Sequence, residues 1–217
     1  MRKPDKYAGF AALQGQVPEQ DYCIESDPRN TSICIMALHG GGIEPGASEL
    51  ALALAGNDFS LYRFEGQKKQ NNGELHIRSE NFDEPKALRL AKSSRTVVSV
   101  HGVSDEGHDH DVYLGGLDEE LKSRLIEILT RSDFDVVADD NPDHSGRSRN
   151  NICNRGASAK GVQFEITERL RRKMFQGWSL KGRGKRTPVF RTFVEAVRDV
   201  LLRSSDSRFF KLGKLRG

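Results

Sequence analysis

Two short apolar runs, residues 31–38 (TSICIMAL) and 96–100 (TVVSV), each stop at a histidine followed by glycine, with helix-length amphipathic segments between and after them. A strand covered on both faces reads as a continuous or β-branched apolar run of this length. When such strands alternate with helices, crossover connections lay them side by side in one sheet. The pattern therefore predicts an α/β fold: a single domain with a mainly parallel or mixed central β-sheet flanked by helices. A length of 217 residues suits one domain with a core on both sides of a sheet and is short for two ordinary domains.

The remaining elements follow from local signals. Residues 48–55 (SELALALA) read as a helix, with Pro45 near its start and Gly56 as its stop. Residues 59–64 (FSLYRF) alternate as a strand, and residues 84–94 form a helix opening with Pro85. A short strand is expected at 112–114 and another at 134–138. Between them Asp118 can cap a helix that places Leu121, Leu125, Ile128 and Leu129 on one face. In residues 162–167 (VQFEIT), Val162, Phe164 and Ile166 take one face and Gln163, Glu165 and Thr167 the other. A final amphipathic helix is expected over 189–202, residues 67–73, 105–111 and 141–158 read as turns and polar loops, and residues 1–20 as irregular chain.

Composition narrows the class. No apolar run approaches the roughly 18 residues that a membrane span needs, and residues 1–20 hold no continuous apolar segment like that of a secretion signal. A cytoplasmic protein is expected, free to leave the cell by lysis. Cys23, Cys34 and Cys153 form no C-x-x-C pair, so neither a disulfide framework nor a thiolate zinc site is suggested. Net charge is +3, but residues 169–217 carry fifteen Lys and Arg against three Asp and Glu, leaving the rest of the chain acidic. This basic helical region either faces an anionic partner or consists of solvated helix faces.

The two histidines mark where chemistry can concentrate. His39 and His101 both follow apolar strands, so both belong at the carboxyl edge of a sheet, where sites form in open α/β folds. Glu44 lies beyond a glycine turn from His39 and can fold back beside its imidazole. Two histidines and one carboxylate make an open zinc shell with a position left for water. Such a centre also needs a carboxylate that is not a ligand, and Glu165, on the polar side of its strand, suits that general-base role. A surface position on the strand is its other reading. The tetrapeptide HGGG at 39–42 also occurs in esterase oxyanion holes, but no G-x-S-x-G elbow accompanies it, and the G-K at 184–185 lacks the remainder of a P-loop.

Taken together, HGGGIEPGASE (39–49), LYRFEG (61–66), NNGELHIRSENFDEP (71–85), SVHG (99–102), VYLGGLDEELK (112–122), NICNRG (151–156) and GVQFEIT (161–167) resemble the poly-γ-glutamate hydrolases of bacterial viruses and their hosts. The resemblance implies a zinc-dependent (Zn2+) amidase with a zinc-carboxypeptidase-like core, acting on the γ-glutamyl amide of poly-γ-glutamate. By position it implies His39, Glu44 and His101 as zinc ligands and Glu165 as the catalytic glutamate. Ordinary carboxypeptidases space their first two ligands H-x-x-E, whereas four residues separate His39 from Glu44 here. Arg155 resembles the arginine with which carboxypeptidases hold a substrate carboxylate, and bidentate pairing suits a guanidinium to that role. Asn154 either orients Arg155 or binds substrate, and Tyr113 either contacts substrate or packs as an aromatic.

His108 and His110 can bind a metal or sit in a solvated loop, and His76 and His144 have no companion pattern. Expected for the protein are a monomeric state, a polyanionic substrate and no membrane contact. One alternative is a related zinc amidase acting on another peptide or an N-acyl amino acid. The other is a nucleic-acid-binding protein using residues 169–186 against phosphate, although few aromatics accompany those basic residues and no binding motif is present.

Overall fold

The computed structural model describes residues 4–141 and 145–205. Its strands are β1 Tyr22–Asp27, β2 Ile33–Gly41, β3 Ser60–Gly66, β4 Thr96–Val103, β5 Val112–Gly115, β6 Val136–Ala138 and β7 Val162–Thr167. They form one sheet in the order β1-β3-β2-β4-β7-β5-β6. The central four, β3, β2, β4 and β7, are parallel. At the flanks β1 runs antiparallel to β3, and β5, with β6 parallel to it, runs antiparallel to β7. The helices are α1 Phe10–Gln14, α2 Ala47–Ala55, α3 Pro85–Ser93, α4 Glu119–Arg131, α5 Glu168–Lys173, α6 Leu180–Arg183 and α7 Pro188–Ser205. This is the single α/β domain with a mixed sheet that the sequence predicts.

Side-chain alternation divides the central strands between two cores. Ile33, Ile35 and Ala37 of β2, Val98 and Val100 of β4, and Val162, Phe164 and Ile166 of β7 join one core with Leu50 and Leu54 of α2, Leu125 and Leu129 of α4, and Phe193 and Val197 of α7. Cys34, Met36 and Leu38 point the other way and pack with Tyr62, Phe64, Phe10, Leu13, Leu90 and Ile152. Two helix starts are fixed by side-chain caps. Glu84 accepts from the Ala87 amide at 2.8 Å ahead of Pro85, and Asp118 accepts from the Leu121 amide at 3.1 Å.

The structure departs from the sequence expectation in three places. Residues 1–20 are not irregular throughout: α1 forms there, and Tyr7, Phe10, Leu13 and Val17 are buried. Their apolar positions are too few to show a period, and contacts with Tyr22 and Phe64 supply the order. Strand β1 lacks a strand-like apolar run because it is an edge strand, paired on one side only. Finally, β2 and β4 run through their histidines to Gly41 and Val103 instead of stopping before them.

Candidate metal centre

Three neighbouring parallel strands bring the candidate residues together. His39 lies near the carboxyl end of β2, His101 on β4, and Glu165 on β7 directly opposite His101 in the register. Gln163 and Glu165 alternate with Val162, Phe164 and Ile166, so they lie on the same side of the sheet as His101. Every residue of β7 is buried, so this polar side is the floor of a site and not a solvent face. Strict alternation along β2 would send His39 to the opposite core with Ile35 and Ala37. The β2–β3 register shifts between Ala37 and Gly40, and this extra residue turns His39 toward His101.

Glu44 reaches the same point through the glycine turn. Its amide donates to the His39 carbonyl at 2.8 Å, and Gly41 takes a φ of +65° to make the reversal. The Glu44 carboxylate then lies 3.1 Å from His39 Nδ1 and 3.5 Å from His101 Nδ1, and its Oε2 accepts from the Gly102 amide at 2.9 Å. Burial raises the pKa of this carboxyl, but the charge of His39 and the hydrogen bonds from both imidazoles outweigh it and hold it well below the usual range.

The donor chemistry fits a cation. His39 Nε2 lies 2.8 Å from the Ile77 carbonyl, which can only accept, so the proton of the neutral ring sits there and Nδ1 presents a lone pair. His101 Nδ1 faces that atom at 3.0 Å, while its Nε2 lies 3.3 Å from Ser79 Oγ. With both rings neutral, His39 Nδ1 and the Glu44 carboxylate are acceptors turned toward one another, and His101 Nδ1 joins them as a further lone pair when its proton sits on Nε2 toward Ser79. One ligand atom from each of His39, Glu44 and His101 lies within 4.8 Å of the others, and all three residues are buried. Tetrahedral zinc ligands at about 2.0–2.2 Å from the ion stand roughly 3.3 Å apart, so the group needs little adjustment to take the ion. Among the described residues no other group of three such donors converges.

A cavity of about 280 Å³ opens on this group and is lined by His39, His76, Arg78, Ser79, His101, Arg147, Gln163 and Glu165, among others. Glu165 is aimed by a polar chain: Asn151 Nδ2 donates to Gln163 Oε1 at 2.8 Å, and Gln163 Nε2 donates to Glu165 Oε1 at 3.0 Å.

Three residues expected at the substrate do not line this cavity. Arg155 is not on the cavity wall, and its Nη2 donates to the Glu80 carbonyl at 3.0 Å, bracing the segment that carries Arg78 and Ser79. The Asn154 side chain is fully used: it accepts from the Leu117 and Gly161 amides and donates to the Gly146 and Ser148 carbonyls. Tyr113 lies opposite Glu165 in the register, but its hydroxyl accepts from the His110 amide at 2.9 Å and its ring meets His108 and His110 edge-on.

Sequence reasoning passed over several residues that the fold places at the site. His76 stacks on His39 with ring centroids 3.9 Å apart, while its Nδ1 lies 2.7 Å from Asp5. Arg78, Arg147, Asn151 and Gln163 were also missed; of these only Gln163 carried a signal, sharing the strand face of Glu165 two residues on. His108 and His110 are in the loop before β5, and His110 pairs with Asp135 at 2.8 Å. His144 lies outside the described residues.

A central α/β sheet with a buried His-Glu-His group and a separate carboxylate at the carboxyl edge of its parallel strands is a framework that can hold a metal ion beside a base. N-formylglutamate amidohydrolase from Ralstonia eutropha JMP134 shares the fold at a TM-score of 0.54 and 11% identity, covering 86% of this chain and 98% of that one. More narrowly, the chain belongs to the poly-gamma-glutamate hydrolase family, which it matches over residues 7–196. Its fold superposes on a bacteriophage poly-gamma-glutamate hydrolase at a TM-score of 0.87 and 32% identity, covering 93% of this chain and 98% of that one. The zinc-free form of YndL gives a TM-score of 0.88 at 35% identity, covering 93% and 99%. In sequence, the UPF0714 protein YndL of Bacillus subtilis (strain 168) is 36% identical over 181 residues, 82% of this chain and 70% of that protein. The SPbeta prophage-derived UPF0714 protein YoqZ of the same strain is 35% identical over 197 residues, 89% and 70%.

Proposed function

We propose that the chain is a zinc-dependent hydrolase that cleaves γ-glutamyl amide bonds of poly-γ-glutamate. The observation that carries this reading is the convergence of His39, Glu44 and His101 beside a cavity lined by His39, His101 and Glu165. Family membership and the likeness to a protein whose structure is described as zinc-free support it.

Zinc held by His39, Glu44 and His101 would supply Lewis acidity, polarising an amide carbonyl and lowering the pKa of water toward about 7. Glu165 acts as base and then acid: its carboxylate takes a proton from the attacking water and returns it to the departing amide nitrogen. The water's hydroxyl ends on the acyl carbon, and no covalent enzyme intermediate is required. Asn151 and Gln163 keep the carboxylate in place through both transfers. Ile77 and Ser79 fix the far nitrogens of the two imidazoles, so each ring keeps its Nδ1 inward.

Each residue of poly-γ-glutamate carries a free α-carboxylate. Arg78 and Arg147 on the cavity wall offer forked, permanently charged donors to such groups. The protein acts as a monomer on a polyanion in this reading, with capture that weakens as salt rises.

The test is chain shortening of purified poly-γ-glutamate by metal-stripped and zinc-loaded protein. Equal rates in the two preparations, or full activity in Glu165→Gln, would sink the mechanism.

A further inference from the structure

The basic segment that follows β7 does not present all of its cations to solvent. Arg171 of α5 and Arg183 of α6 are only 4% and 5% exposed. Arg171 spends its guanidinium on three backbone carbonyls, two from sheet strands and one from the loop after β2: Nε donates to Ile166 at 2.9 Å, Nη1 to Pro45 at 2.5 Å and Nη2 to Val103 at 3.0 Å. Each carbonyl lies one or two residues past a site residue, Glu165, Glu44 and His101 in turn. Arg183 grips the other end of the Glu44 loop, donating to the Gly41 carbonyl at 3.2 Å and to Glu49 Oε1 at 2.7 Å.

The approach is close enough to dictate a neighbour. A Cβ on Gly102 would meet the Arg171 guanidinium carbon at 2.4 Å, so the glycine after His101 is what admits the arginine. Burial lowers the Arg171 pKa, while the charges of Glu44, Glu168 and Glu165 oppose that shift, and a guanidinium so paired stays charged. The guanidinium meets these three divergent carbonyls with three separate nitrogens, a spread that the single nitrogen of lysine does not reproduce.

We propose that Arg171, with Arg183 at the far end of the loop, is the positioning residue of the metal centre. Together they clamp residues 41–46 against the ends of β4 and β7, and thereby set the affinity of His39, Glu44 and His101 for zinc. This rests on the metal reading above, but the clamp itself can be measured without metal.

Two readouts are taken on the full chain: zinc affinity by competition with a chromophoric chelator, and amide hydrogen exchange of the metal-stripped protein. Arg171→Lys is compared with Leu125→Ala, which loosens the core under α4 away from the site. The expected result for Arg171→Lys is a loss of about tenfold or more in zinc affinity, with faster exchange at the Glu44 and Gly102 amides. Leu125→Ala should leave affinity within about twofold of the parent, because its loss is not shared by the ligands. Parental affinity and unchanged exchange in Arg171→Lys would overturn the proposal, as would an equal affinity loss in Leu125→Ala. Should Arg171→Lys fail to fold, Arg183→Gln carries the test, with the same direction expected and parental values again overturning it. A parent protein that takes up no zinc would remove the metal reading, and exchange alone would then decide the clamp.

Discussion

The two sides of the central sheet are built from the same strands and serve opposite ends. On one side Ile35, Val98, Val100, Phe164 and Ile166 pack under α2, α4 and α7 in an apolar core. On the other, the apolar run of Cys34, Met36 and Leu38 gives way toward the carboxyl edge to His101, Gln163 and Glu165, all buried and all tied by hydrogen bonds. Burying those polar groups costs free energy that only paired partners recover. The contrast implies that the first side supplies stability and the second gives some of it up for a preorganised site.

The sharpest way to break this contrast is to change each side once. Glu165→Gln keeps the shape of the side chain and its bond from Gln163, so thermal stability and zinc content should hold while the rate of chain shortening falls about 10²–10⁴-fold. Phe193→Ala acts from the other side. Phe193 is fully buried and meets Phe134 and Phe164 edge-on at 5.3 and 6.0 Å. Its truncation should cost about 3–5 kcal/mol in denaturant unfolding, with kcat per folded molecule unchanged. A large rate loss in folded Phe193→Ala, or a large stability loss in Glu165→Gln, would show that the two sides are not separable.

A smaller effect sharpens where the polar side ends and the substrate begins. Arg78 is exposed yet lines the cavity, so Arg78→Ala should leave zinc content and stability intact and raise KM for poly-γ-glutamate. A charged hydrogen bond is worth about 1.5–3 kcal/mol, and solvent screening places this one at the low end, roughly tenfold in KM at low salt. A KM equal to the parent's at low salt would move carboxylate recognition elsewhere, with Arg147 the next residue to change.

How much of this was readable beforehand depends on sequence distance. Strand β7 was legible to the residue, because VQFEIT alternates without interruption, and the pairing of His39 with His101 followed from two apolar runs that end alike. The β2 bulge was not legible, since it exists only relative to β3. His76 had no pattern of its own: its place depends on a stack with a ring 37 residues earlier and a bond to Asp5. The basic count over residues 169–186 suggested a surface, whereas the Arg171–Pro45 bond joins residues 126 apart, and no local periodicity can signal that. Local sequence thus showed which residue types the strands deliver to their edge, and long-range contacts decided which of them share a site.

The least effect is expected where charge stays in water. Glu74 sits in the turn before His76 and pairs with Lys68 at 2.9 Å and Lys6 at 3.0 Å, and hydrogen bonds from these ammonium groups bring its pKa down to about 2. A folded pKa below the ordinary 4.5 means that the pairing adds stability above about pH 4.5 and loses it as pH falls toward 2. Because the group is solvated and screened, the contribution is small. Thermal melts of Glu74→Gln and the parent should therefore differ slightly at pH 7 and low salt, and converge both near pH 2 and at high salt. A gap that persisted at pH 2 would mean that Glu74 orders the turn by its shape, so that the turn leading to His76 would belong with the packed parts of the molecule.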